Sequence, residues 1–92
     1  MSNDWDWEFT PRADDEFADL DPPAQRQLLT KLDEVIADEF RTPPDYLKSL
    51  TNLPYSSLRA GSYRAIIEVD RTAQMLAVMS VGHRSHVYDD FP

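Results

Sequence analysis

The sequence predicts a small α+β domain of order β-α-α-β-β-β: an antiparallel meander joined by the N-terminal strand, with two helices packed on one face. Three observations carry this expectation. Between Ala24 and Phe40, the residues Leu28, Leu32, Val35, Ile36 and Phe40 fall on one helical stripe, with Gln25, Lys31, Asp33, Glu34 and Asp38 elsewhere. Tyr63–Val69 and Met75–Val81 are two apolar runs joined by the polar turn Asp70-Arg71-Thr72-Ala73-Gln74, which reads as a long β-hairpin. Trp5-Asp6-Trp7-Glu8-Phe9 alternates aromatic with acid, the period-two pattern of a strand with one buried face.

The elements follow in order. After the first strand, Pro11 suits the opening turn of a helix, and Ala13, Phe17 and Leu20 recur at helical spacing. Asp21-Pro22-Pro23 breaks that helix and starts the next, since an aspartate caps and early prolines remove amide donors that have no helical acceptor. Thr42-Pro43-Pro44 ends the second helix. Tyr46, Leu47, Leu50 and Leu53 form either a short helical turn or a packed loop. Tyr55–Leu58 reads as a short strand that turns at Ala60-Gly61-Ser62 into Tyr63–Val69. The latter should be central, because Tyr63, Ala65, Ile67 and Val69 supply one apolar face and Ile66 the other.

The 92 residues make a single domain, 1–92, without cysteine, so disulfides and thiol chemistry are excluded. No stretch has the plan of a signal peptide or the length of a membrane span, which predicts a cytoplasmic protein with no membrane partner. Seventeen acids against nine bases give a net charge of −8. Taken alone, that argues against nucleic acid, whose phosphates are held by Lys and Arg. The distribution reverses the argument. Residues 1–46 carry thirteen acids against four bases, whereas residues 55–88 carry Arg59, Arg64, Arg71 and Arg84 against Glu68 and Asp70, plus His83 and His86. The acids are mostly aspartate and only Lys31 and Lys48 are lysines, a composition suited to a halophilic source, where self-repulsion is screened within about 3 Å at 1 M salt.

An arginine within a central strand calls for an anionic partner, because burying it unpaired is costly. Glu68 on the same face offers a salt bridge, and a phosphate ligand is compatible with it. With five unpaired turn residues, Arg64 would face Ser80, and Arg84 would lie four residues further on, about 13 Å along the strand. A bend at Gly82 would let both guanidinium groups meet one phosphate. The length of the turn at Ala60-Gly61-Ser62 leaves the face of Arg59 open. His83 and His86 lack a third ligand and make no metal site, so neither metal nor cofactor is expected. Ser85, His86 and Asp89 are too close in sequence for a catalytic triad.

The pattern Leu58-Arg59-x-Gly61-x-Tyr63-Arg64-x-Ile66, with Val81-Gly82-His83-Arg84 and Val87-Tyr88 downstream, resembles the RelE/ParE superfamily of toxins from type II toxin–antitoxin modules. Lys48-x-Leu50 belongs to the same signature. The resemblance implies a ribosome-dependent, metal-independent mRNA endoribonuclease in which the 2′-hydroxyl attacks the adjacent phosphate. It also implies an antitoxin partner that lays a helix over the domain. Arg64, Arg84 and Tyr88 match the catalytic positions, with His83 placed to move a proton. Arg59, Ser85 and His86 are the candidate RNA-binding residues. RelE-type enzymes carry lysines before the hairpin turn, where this chain has Tyr55 and Ser57. The alternatives are therefore a ParE-like inhibitor of DNA gyrase and a relative that has lost toxicity.

Overall fold

The computed structural model describes residues 4–38 and 40–84. The order is β1 (Asp6–Phe9), α1 (Pro11–Ala18), α2 (Pro22–Ala37), a 3₁₀ turn (Pro43–Tyr46), β2 (Lys48–Ser49), β3 (Ser56–Ala60), β4 (Tyr63–Asp70) and β5 (Met75–His83). The expected architecture stands, with one addition and one correction: β2 pairs with β3 and extends the meander by a short edge strand, and α2 ends at Ala37, so that Phe40, expected on its apolar stripe, lies beyond it and is exposed. The sheet order is β1-β5-β4-β3-β2, all antiparallel except for β1 beside β5. The strand called central is the central one.

Each helix begins at the residue its sequence marks, although Asp21 at the N-cap of α2 makes no side-chain capping hydrogen bond. The Thr10 hydroxyl accepts from the Ala13 amide at 3.3 Å and Pro11 fills the first helical position, so α1 opens with its orphan donors reduced. α2 opens on Pro22 and buries Ala24, Leu28, Leu32 and Val35. Leu28, Leu32 and Val35 meet Leu58, Ala60, Ala65, Ile67, Leu76, Val78 and Val81 from the sheet in one core. The aromatic side of β1 closes that core at its end. Trp7 and Phe9 stand edge-on with ring centres 5.0 Å apart, and Phe9 meets Phe17 of α1 at 4.9 Å. The Trp7 indole N–H is satisfied by Asp33 of α2 at 3.0 Å.

The helices thus cover one face, and the other is fixed by register. In β4 the covered residues are Tyr63, Ala65, Ile67 and Val69, so Arg64, Ile66, Glu68 and Asp70 turn to the second face. Two features of the hairpins decide what joins them there. Ala60 pairs with Tyr63 across the two-residue loop Gly61-Ser62, with Gly61 at φ 62°. Its missing Cβ matters twice, since one would also lie 2.8 Å from the Gln27 side chain. This tight loop sets Arg59 directly opposite Arg64 on one face.

The β4–β5 register differs from the expected one. Asp70 pairs with Met75, so the loop holds four residues, and a bulge follows: Ile67 faces Val78 while Ile66 faces Ser80, with Met79 between them unpaired. An even loop alone would have sent Arg84 to the face opposite Arg64. The extra residue at the bulge restores the parity. Arg64 pairs with Gly82, and the Arg84 amide continues the ladder to the Ser62 carbonyl at 2.9 Å. Arg84 therefore lies two residues past the partner of Arg64, about 7 Å along the strand instead of about 13 Å.

The edge of β5 beyond β1 is held by α1. Glu16 accepts from the Ser80 hydroxyl at 2.7 Å and from the Val81 amide at 3.3 Å, and pairs with Arg12 at 3.7 Å. One carboxylate thus ties down the segment just after the bulge. No described helix is long and apolar enough to cross a membrane.

Candidate functional site

The second face of the sheet is electrically divided. At the end formed by the 61–62 loop, register places Arg59 opposite Arg64, Arg64 opposite Gly82, and Arg84 one step further on. At the other end lie Asp6, Glu8, Glu68 and Asp70. Two arginines directly opposed across an antiparallel pair repel each other, a cost that an anion between them would turn into attraction.

Arg64 is half-buried with its Nε sealed from solvent, so its guanidinium is held more firmly than a surface side chain. It lines a cavity of about 250 Å³ together with Lys48, Ser49, Leu50, Thr51 and Ser57. Lys48 pairs with Ser57, which pairs with Ile66, so the lysine stands on the same face as Arg64, one row away. Sequence reasoning missed this neighbour. Its only signal is β2, a two-residue strand that exists by pairing with β3 across the intervening loop.

The other expected site residues are distributed as follows. Arg84 is exposed at the end of β5, on the Arg64 face by register. Arg59 is exposed and its Nε donates to the Gly61 carbonyl at 3.3 Å, drawing it toward the loop. There it borders a second, larger groove of about 650 Å³ beside α2, shared with Arg26 and Lys31. His83 pairs with Tyr63, on the helix side of the sheet, and their rings meet edge-on at 5.7 Å. Register thus gives Arg59, Arg64 and Arg84 one face and His83 the other, although the Arg59 side chain reaches the groove beside α2. Tyr88, Ser85 and His86 lie outside the described residues. Among the described residues no cluster of metal-ligating side chains occurs.

The 3₁₀ turn that precedes β2 is held by a polar clasp. The Tyr46 hydroxyl donates to Asp38 at the end of α2, and Asp38 also accepts from the amides of Phe40 at 2.7 Å and Arg41 at 3.2 Å. The Arg41 guanidinium lies over the Tyr46 ring at 4.3 Å and donates to the Asp45 carbonyl at 2.8 Å. Together these contacts fix the 3₁₀ turn from which β2 departs. The Tyr46 bond, followed by that of the Phe40 amide, holds the Asp38 carboxyl below its ordinary value of 3.8. The same bond holds the Tyr46 phenol above 10.0. The signs are opposite. Asp38 stabilises the fold above its ordinary value and loses that effect as pH falls through its folded value. Tyr46 does so below 10.0 and loses it as pH rises through its own raised value. Asp38→Asn should therefore melt below the wild type at neutral pH, with the gap closing as pH falls below 3.8 and through the lowered folded value of Asp38, in thermal unfolding followed by circular dichroism.

Residues 7–88 match the family described as the ParE toxin of the type II toxin–antitoxin system parDE. No curated protein matches the chain. Among solved structures, the RelBE2 toxin–antitoxin complex of Mycobacterium tuberculosis is similar at 22% identity and a TM-score of 0.75, covering 87% of this chain and 98% of the other. The intact E. coli RelBE complex is similar at 28% identity and a TM-score of 0.66, over 86% and 95% of the two chains. The RelB–RelE complex of Methanococcus jannaschii is similar at 20% identity and a TM-score of 0.67, over 91% and 98%. The fold is theirs and the sequence match spans most of the chain: this protein belongs to the ParE toxin family, within the RelE/ParE superfamily of toxins from type II toxin–antitoxin systems.

Proposed function

We propose that this toxin is a ribosome-dependent mRNA endoribonuclease, silenced in the cytoplasm by a cognate antitoxin. The observation that carries the reading is the cationic end of the second face, where the loop at Gly61-Ser62 and the bulge at Met79 bring Arg59, Arg64 and Arg84 to one side. Such a grouping suits a trigonal-bipyramidal phosphorus whose equatorial oxygens gain negative charge. In the reaction, the 2′-hydroxyl loses its proton and attacks the adjacent phosphorus. The bond to the 5′-oxygen breaks, that oxygen takes up a proton, and a 2′,3′-cyclic phosphate remains. Arg64 and Arg84 hold the phosphoryl oxygens, and Tyr88 is assigned the leaving-group proton by its match to the superfamily. His83, whose ring meets Tyr63, is left out of the proton path.

A second reading has its own support, because the matching family is described by ParE. ParE-type members act as non-catalytic inhibitors of DNA gyrase. Two assays on the purified protein separate the readings, both run across a salt series that includes high salt to suit a halophilic source. Primer extension on a messenger translated by purified ribosomes should show cuts that need ribosomes and persist in chelator. Intact messenger together with blocked gyrase supercoiling would overturn the ribonuclease reading. The antitoxin reading draws on the solved relatives, which are toxin–antitoxin complexes. Its check is co-purification with the product of the adjoining reading frame.

A further inference from the structure

Beyond Phe9 the outer edge of β5 loses its neighbour β1, and two side chains at and within α1 take its place. The Thr10 hydroxyl lies 3.1 Å from the Val78 carbonyl and 3.3 Å from the Met79 carbonyl. Successive carbonyls of a regular strand point to opposite edges, so one hydroxyl reaches both only where the strand is bulged. Glu16 then accepts from the Ser80 hydroxyl at 2.7 Å and from the Val81 amide at 3.3 Å. Ser80 is 1% exposed, and its hydroxyl needs such a partner. The Val81 amide carries more information. A one-residue slip turns every side chain and every amide of a strand segment to the opposite side. With Met79 paired instead of bulged, the Val81 amide would point toward β4 and the carboxylate would lose it. The bond therefore belongs to the register that sets Gly82 opposite Arg64.

We propose that Glu16, assisted by Thr10, is a positioning residue of the toxin: it selects the bulged register of β5 and so keeps Arg84 on the face of Arg64. The simpler account gives the carboxylate to the buried serine alone. That account explains the bond to Ser80 but not the second one, to an amide whose direction the bulge decides. The activity arm of the test rests on the ribonuclease reading; the register arm does not.

The intact protein is compared with Glu16→Ala by nuclear magnetic resonance and by the ribosomal cleavage assay. Ala65 and Val81 are directly opposed, and in the wild type their α-protons should give a strong cross-peak. In Glu16→Ala that peak should weaken, one between Ala65 and Ser80 should appear, and exchange of the Val81 amide should quicken about tenfold. Cutting should slow by about tenfold, the effect of one charge-assisted bond on the register. Glu16→Gln keeps the shape and a neutral acceptor; it should show the same changes at smaller amplitude, and it carries the comparison if Glu16→Ala does not fold. Asp15→Asn, at an exposed acid of the same helix, changes the net charge equally and should leave every reading at wild type. Adding Ser80→Ala to Glu16→Ala removes the orphaned hydroxyl, so it should raise the melting midpoint without restoring cutting. Cutting restored by Ser80→Ala would reduce Glu16 to a partner for that hydroxyl and overturn the proposal. An Ala65–Val81 cross-peak and Val81 exchange unchanged in both Glu16 variants would overturn it as well. A register lost in the variants, with messenger left whole by the wild type, sustains the role of Glu16 and removes the ribonuclease reading instead.

Discussion

Arg64→Ala should reduce ribosome-dependent cleavage by about 10²–10³-fold while leaving the far-ultraviolet spectrum and melting midpoint close to wild type. The magnitude is that of removing one preorganised donor from a charge-bearing transition state. Preorganisation is what the fold supplies here. The side chain leaves the middle of a five-stranded sheet, is half-buried, and its Nε is out of solvent. Stability should change little, because truncation also relieves the repulsion from the directly opposed Arg59. Arg64→Lys should recover only a small part of the lost rate, since an ammonium cannot offer two parallel donors to a phosphoryl group. Growth arrest on expression provides the cellular readout. Arrest that persists at full strength in Arg64→Ala would point away from the phosphate chemistry of this face.

Leu28→Ala should have the largest effect on stability. Leu28 is fully buried where α2 meets the sheet, within the same cluster as Leu32, Leu58 and Ile67. Removing a buried leucine side chain costs about 2–5 kcal/mol, the transfer term plus the void left behind. Total stability for a domain of this kind is about 5–15 kcal/mol, so a substantial share is lost. The melting midpoint should fall by on the order of 10–30 °C at the usual 4–8 °C per kcal/mol. Leu29, one position on and only partly buried, is the control, and its alanine variant should fall much less. Equal losses at the two positions would contradict the packing of α2 described above.

The parts of this molecule that could be read from sequence are those in which one element carries its own signal. The stripe through Leu28, Leu32 and Val35 is visible because helical period and burial coincide within α2. β4 was readable as central because both its parities hold apolar residues, and Ile66, on the face away from the helices, is indeed fully buried. What remained hidden depends on relations between segments. The partner of Arg64 turns on a loop of even length and a bulge at Met79, neither of which leaves a mark in the apolar pattern of β5. The face of Arg59 turns on a loop of two residues. Lys48 stood in plain view as part of a motif, yet its proximity to Arg64 required β2, a strand with no periodicity to detect. The absence of lysine at Tyr55 and Ser57 looked like a loss of positive charge; the lysine directly across from Ser57 places that charge on the next strand.

The unpaired Met79 makes the toxin sensitive to length in an uneven way. A codon gained or lost in the Arg71–Gln74 loop alters only the loop, since every cross-strand partner stays where it was. Deleting Met79 instead rotates Gly82 and Arg84 to the side occupied by the helices, while β1, both helices and the outer face of α2 keep their places. Such a variant would keep its helical surface, while Arg64 and Arg84 would no longer share a face of the sheet. A single in-frame codon there changes which face of the sheet Arg84 occupies, whereas one in the Arg71–Gln74 loop does not.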